Sequence, residues 1–164
     1  MAFASFDPRR AIRTVITTDV DLFLNGTNLR VITVIDTNKN QYQIPIYLSE
    51  ETKSGILKPL PLIEFGMIHE SAQPQDIAAS TRKHEGILDV NIYWTSMDEL
   101  DSDILGRLIS DKLHDLIRTN QCGTVPGTHF INVTNTGQVA IETNAKQVVF
   151  HRNMEIYVLW YDRP

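Results

Sequence analysis

Four groups of residues in this chain have the types and spacing for chemistry. Ser110 and His114 stand four apart, with Asp111 and Asp115 beside them. An activated serine needs a base within hydrogen-bond reach and a third group to orient that base. His69-Glu70 and His84-Glu85 repeat one dipeptide, and two histidines with two carboxylates suit zinc or another divalent cation. Lys112 falls inside a stripe of leucines. Cys122 is the single cysteine. One thiol closes no internal bridge, so a reducing compartment is the expectation.

Each group also has a plainer reading. Ser110, His114, Asp111 and Asp115 fall on or near the polar face of one helix, opposite its leucines, and read as a solvated surface. His69 and Glu70 point to opposite faces of a strand, as do His84 and Glu85. Lys112 is either a stem snorkelling to the helix edge or a partner for a neighbouring subunit's carboxylate. The Arg9-Arg10-Arg13 group reads as a solvated helix face, and Tyr93-Trp94 and Trp160-Tyr161 as core and rim. The chain contains no HExxH, GxGxxG, GKS, GKT or GxSxG motif. We therefore assign no catalytic, cofactor-binding or metal-binding residue, and expect neither an enzyme nor a cofactor.

The elements that would position these groups follow from periodicity. Asp7-Pro8 starts a helix, with an N-cap carboxylate and proline at the first position. Ala11, Ile12, Val15 and Ile16 form its stripe. Leu29–Ile35 and Tyr42–Leu48 read as strands around the polar turn Asp36–Asn40. Pro45 demotes the second strand to an edge. Leu62–Glu70 reads as a strand with Ile63, Phe65 and Met67 on one face, and Ser71–Ser80 as a long mobile loop. Ile87–Thr95 alternates, with Leu88, Val90, Ile92 and Trp94 inward.

Ser96-Met-Asp-Glu99 has capping-box spacing for a helix over Asp98–Thr119. Leu105, Leu108, Ile109, Leu113 and Leu116 are its buried stripe. Gly106 in that helix costs about 1 kcal/mol against alanine and invites close approach by another element. A hairpin is expected from His129–Thr134 to Val139–Ile141, turning at Asn135-Thr-Gly137. Val148–Tyr161 is the closing strand. The fold class expected is α+β: a mainly antiparallel sheet with one long helix packed on it and a shorter N-terminal helix, in a single domain over residues 1–164.

Composition narrows function. The 164 residues are 42% apolar and 21% charged, with net charge −5. An acidic chain is poorly suited to gripping phosphate, which takes clustered Lys and Arg. The first residues lack the charged and apolar regions of a signal peptide. No apolar run reaches the roughly 20 residues of a membrane span, so no membrane partner is expected.

The order of elements adds a resemblance. An N-terminal helix, the Pro59-Leu-Pro61 crossing and a strand pair split by a polar loop precede Leu88-Asp-Val-Asn-Ile-Tyr-Trp94. One long helix and the closing strand Met154-Glu-Ile-Tyr-Val-Leu-Trp160 follow. This order resembles the tail terminator and related neck proteins of tailed bacteriophages and tailed archaeal viruses, although Val20–Leu48 is longer and richer in strand than that pattern. The resemblance implies a structural virion protein, assembled in the host cytoplasm into a homo-oligomeric ring, commonly a hexamer. Such a ring caps the tail tube, meets tail-tube and head-completion proteins, and lets DNA pass without sequence-specific binding. Two alternatives stand beside it. One is a small-ligand-binding or enzymatic α+β domain using Lys112 or the His69/His84 region. The other is a tail tube or head-closure subunit.

Overall fold

The computed structural model describes residues 6–20, 29–52, 59–74, 82–95, 102–143 and 148–162. Local signals start the elements. The Asp7 carboxyl accepts the Arg9 backbone N–H at 3.0 Å and caps α1 (Pro8–Ile16). Strands β1 (Thr18–Val20), β2 (Leu29–Ile35) and β3 (Gln41–Leu48) follow, then the single turn α2 (Ser49–Thr52). Between β2 and β3 the Asp36 carboxyl accepts both the Asn38 and Asn40 backbone N–H at 2.9 Å, the Asn40 amide and the Tyr42 hydroxyl. Desolvation pushes its pKa up, but these bonds outweigh it and hold the group below the usual range. Then come β4 (Leu62–Pro74), β5 (Arg82–Thr95), α3 (Ser102–Thr119), β6 (Thr128–Thr143) and β7 (Val148–Asp162).

The strands form one seven-stranded sheet in the order β1-β2-β3-β4-β5-β7-β6. All neighbours are antiparallel except β3 and β4, which pair in parallel from Ile46↔Ile63 to Leu48↔Phe65. β3 divides its length: Gln41–Pro45 pairs with β2, and Ile46–Leu48 with β4. Pro45 sits at the join, so it interrupts no ladder and the strand need not be an edge.

This architecture corrects the expected α+β layering of a mainly antiparallel sheet under one long helix with a shorter N-terminal one. The sheet is mixed and strand-dominated: 61% of the described residues are strand and 24% helix, in three short helices. Cross-strand pairing overrode two turn signals. Ser71–Pro74, expected in the mobile loop, extends β4 and pairs with Arg82–Glu85; residues 75–81 lie outside the described residues. Asn135-Thr-Gly137, expected to turn, lies inside the 16-residue β6, where register shifts absorb the polar residues. The capping box at 96–99 also lies outside the described residues.

A bulge in β4 between Phe65 and Ile68 corrects one face. Ile63 and Phe65 are buried, but Met67 is 63% exposed and Ile68 turns back toward the core. The inward face of β5 runs as expected: Leu88, Val90, Ile92 and Trp94 are all fully buried. Against it α3 buries Leu105, Ile109, Leu113 and Ile117, while Leu108 and Leu116 are half-buried. The step of four residues keeps these side chains on one face.

Gly106 touches the Trp94 indole so closely that a Cβ there would overlap the ring. Gly106→Ala should therefore lower stability, although alanine favours an exposed helix by about 1 kcal/mol. Urea unfolding decides the sign, and a stabilised variant would refute the contact. Leu113→Ala should cost about 2–5 kcal/mol, and the half-buried Leu116→Ala less.

Candidate functional site

The side chains singled out for chemistry do not converge. Ser110 is buried; its hydroxyl donates to the Gly106 carbonyl at 2.8 Å and accepts from Arg152 Nη1 at 3.3 Å. His114, on the exposed side of α3, is hydrogen-bonded to Thr136 Oγ1 at 2.9 Å. The serine is committed to the backbone and the histidine to β6, so these two are not paired as nucleophile and base. Asp115 holds Arg118, Asp111 is exposed, and Lys112 is half-buried.

The two His-Glu dipeptides separate by strand parity. His84 Nδ1 donates to Glu70 Oε1 at 2.9 Å, and its ring stacks on Trp160 with centroids 5.1 Å apart. His69 lies on the other face, paired with Asp89 at 3.1 Å. Glu85 takes the Lys83 ammonium and the Tyr157 hydroxyl. Among the described residues, no three His, Cys, Asp or Glu side chains cluster as a metal site would require.

The arrangement that does converge is the sheet face turned away from α3. α1 reaches only β2 and β3 closely, and α2 only β3 and β4, so among the described residues no helix covers this face over β5 and β7. Register sets its side chains in rows: Tyr93 beside His151, Asn91 beside Asn153, Asp89 beside Glu155. The first two rows bond to each other, and Asp89 in the third holds His69. The Tyr93 and His151 rings stack at 4.6 Å. His151 Nε2 donates to Asn91 Oδ1 at 3.0 Å, and Asn153 Nδ2 donates to the same oxygen at 3.2 Å. A shallow groove of about 540 Å³ crosses the His69, Ser71, Glu85, Gly86, Ile87 and Tyr157 region.

Titration on this face follows its contacts. Hydrogen bonds from Lys83 and then Tyr157 hold Glu85 below the usual carboxylate range. Lys83 is raised first by its bond to Glu85. Desolvation, and then the Glu64 and Glu142 carboxylates, push Tyr93 up. Desolvation and the bond to Glu85 do the same to Tyr157.

Sequence reasoning missed the arginine clamp at the other side of the sheet. Arg9 and Arg13 are not a solvated face: their side chains are only 15% and 14% exposed. Arg9 bonds Asp7, Glu50 and the Gly66 carbonyl. Arg13 bonds Glu51 and the Ile46 carbonyl. The signal available was Glu50-Glu51 just after the end of a strand, a carboxylate pair in need of cations.

No protein-family model matches this chain, and no curated protein does. The surface chemistry must therefore carry the functional argument.

The Glu85 cluster gives a pH test. A carboxyl whose folded pKa lies below its unfolded value adds stability above the unfolded pKa, about 4.3 for Glu. That contribution is lost as pH falls through the folded value. Glu85→Gln should therefore be less stable than the native chain near neutrality, with the gap closing on acidification. A gap in urea midpoint that stays constant between about pH 7 and about pH 3 would contradict the assignment.

Proposed function

We propose that this chain is a structural subunit of a tailed-virus particle, a tail terminator or neck protein. In this reading it forms a homomeric ring, six copies in the commonest form, that caps the tail tube and joins it to the head. DNA passes through the ring, and the subunit performs no catalysis. The observation that carries the reading is the uncovered sheet face. It presents the carboxylates of Glu85, Asp89 and Glu155, and among the described residues its one lysine, Lys83, is engaged by Glu85. Its amide and imidazole donors on Asn153, His151 and His69 are engaged by neighbouring side chains.

A passing polyanion meets repulsion and already engaged donors there, which is what a lumen wall needs. Binding phosphate would require clustered cations able to displace counterions. The net charge of −5 acts in the same direction. The half-buried Lys112 is available for a contact between neighbouring subunits.

Imaging tests this reading. Particles assembled without the protein should show tails of irregular length or tails unattached to heads, and the purified protein, alone or with its tail partner, should form rings. Normal tails of uniform length, correctly joined to heads in its absence, would defeat the proposal. A second test is loss of DNA transit in particles carrying Glu85→Lys with Asp89→Lys, which turn the face cationic. Unimpaired DNA delivery by that variant would remove the lumen assignment.

A further inference from the structure

We propose that the stretch of β6 from Gln138 to Glu142 pairs antiparallel with the same stretch of a second copy of this chain, so that two seven-stranded sheets continue into one across a two-fold axis. β6 is the last strand in the sheet order, so one side of its backbone faces away from β7. The chain guards most of that side. The loop after α3 closes the first part: Ile131 N–H donates to the Gln121 carbonyl at 2.9 Å, and Gly123 N–H to the His129 carbonyl at 3.2 Å. Register shifts between Val133 and Asn135 and between Thr136 and Val139 bend the middle, and a bulged edge is a poor template for pairing.

From Val139 the pairing with β7 becomes regular and stays so to Thr143. Gln138 to Glu142 is a run of five exposed residues. It contains no lysine, arginine or proline, the usual guards of a free edge. Val139 is 37% exposed and Ile141 64%, and both lie on the same side of the sheet as Phe150 and Arg152.

The opposite end of the sheet is a poor occupant for this edge. β1 is three residues long and carries the exposed Asp19–Arg30 ion pair, 2.9 Å. Short length and charge are the devices that keep an edge unpaired. The β6 stretch, in contrast, complements itself. In the antiparallel register centred on Ala140, Val139 faces the partner's Ile141, Ala140 faces the partner's Ala140, and Gln138 faces the partner's Glu142. Apolar side chains meet on one face. On the other, the single carboxylate of each copy meets an amide that can donate to it rather than a second carboxylate. Such a contact is isologous. It is separate from the head-to-tail contact that a ring requires, and neither depends on the other.

Cysteine cross-linking in the full chain tests the register. In a Cys122→Ser background, which removes the exposed native thiol, Ala140→Cys should oxidise to a covalent dimer. Directly opposed residues of an antiparallel pair lie within disulfide reach. Thr134→Cys, in the bulged part of the same strand, should not. Adding Ile141→Lys to Ala140→Cys should abolish the dimer, while the reduced variants compared at a dilution where both are monomeric melt alike, because that side chain is mostly exposed in the single chain. The native chain should sediment as a dimer or a multiple of one. A native monomer at high concentration would overturn the proposal. So would an Ala140→Cys variant that forms no dimer, or one that cross-links no better than Thr134→Cys.

Discussion

The rest of the structure hangs on the contact between the Trp94 indole and the backbone of Gly106. Trp94 ends the inward row of β5, is fully buried, and stacks on Phe150 with centroids 5.7 Å apart. A side chain at position 106 would occupy the space of that ring. The missing Cβ therefore sets how near α3 comes to β5. Once α3 is seated there, Leu105, Ile109, Leu113 and Ile117 reach the core in successive turns. The same turn presents the Ser110 hydroxyl to Arg152, whose Nε donates to the Gly137 carbonyl at 2.8 Å. One steric constraint thus aligns a helix, β5 and the irregular part of the edge strand.

Two arginines solve the same backbone problem at two places in the sheet. The bulge in β4 leaves the Gly66 carbonyl out of regular pairing, and Arg9 Nη1 donates to it at 3.1 Å. The shift in β6 does the same to the Gly137 carbonyl, and Arg152 answers it. A carbonyl displaced from its ladder and cut off from water costs free energy unless a donor reaches it. Arginine suits the task because its guanidinium stays charged and offers several donors at once. Arg9 uses the remainder on Asp7 and Glu50, which ties the first helix to the crossover between β3 and β4.

What the sequence showed depended on range. The Asp7-Pro8 cap and the alternation of Leu88 to Trp94 are local signals, legible because cap chemistry and the two-residue period need no knowledge of a partner. Strand parity likewise separated His69 from Glu70 before any register was known. Register itself was not legible. The pairing of His84 with Glu70, of Tyr157 with Glu85 and of Arg9 with Gly66 depends on which residues face each other across distant elements. Asn135-Thr-Gly137 failed for the same reason: the dipeptide preferences of a turn are worth less than a ladder that β7 offers over its whole length. On α3 the stripe was placed a few tens of degrees off, choosing Leu116 over Ile117, because leucine and isoleucine are equally apolar and only packing separates them. Ser110 was placed on the polar face by its hydroxyl, although a serine that returns its proton to the carbonyl one turn back can be buried without cost to hydrogen bonding.

The surface divides by how its polar groups are satisfied. On the uncovered sheet face the side chains answer one another: carboxylate to imidazole at Asp89 and His69, amide to amide at Asn153 and Asn91, phenol to carboxylate at Tyr157 and Glu85. A partner arriving there would have to break those bonds and strip water from charges for little return. The end of β6 is different in kind. Its outward backbone groups belong to a regular ladder with a second side, and its exposed Val139 and Ile141 lose nothing by leaving water. These contacts oppose association on the face and leave the proposed strand pairing at the edge unopposed. The lumen wall and the strand-adding edge proposed above would be two outcomes of that single rule.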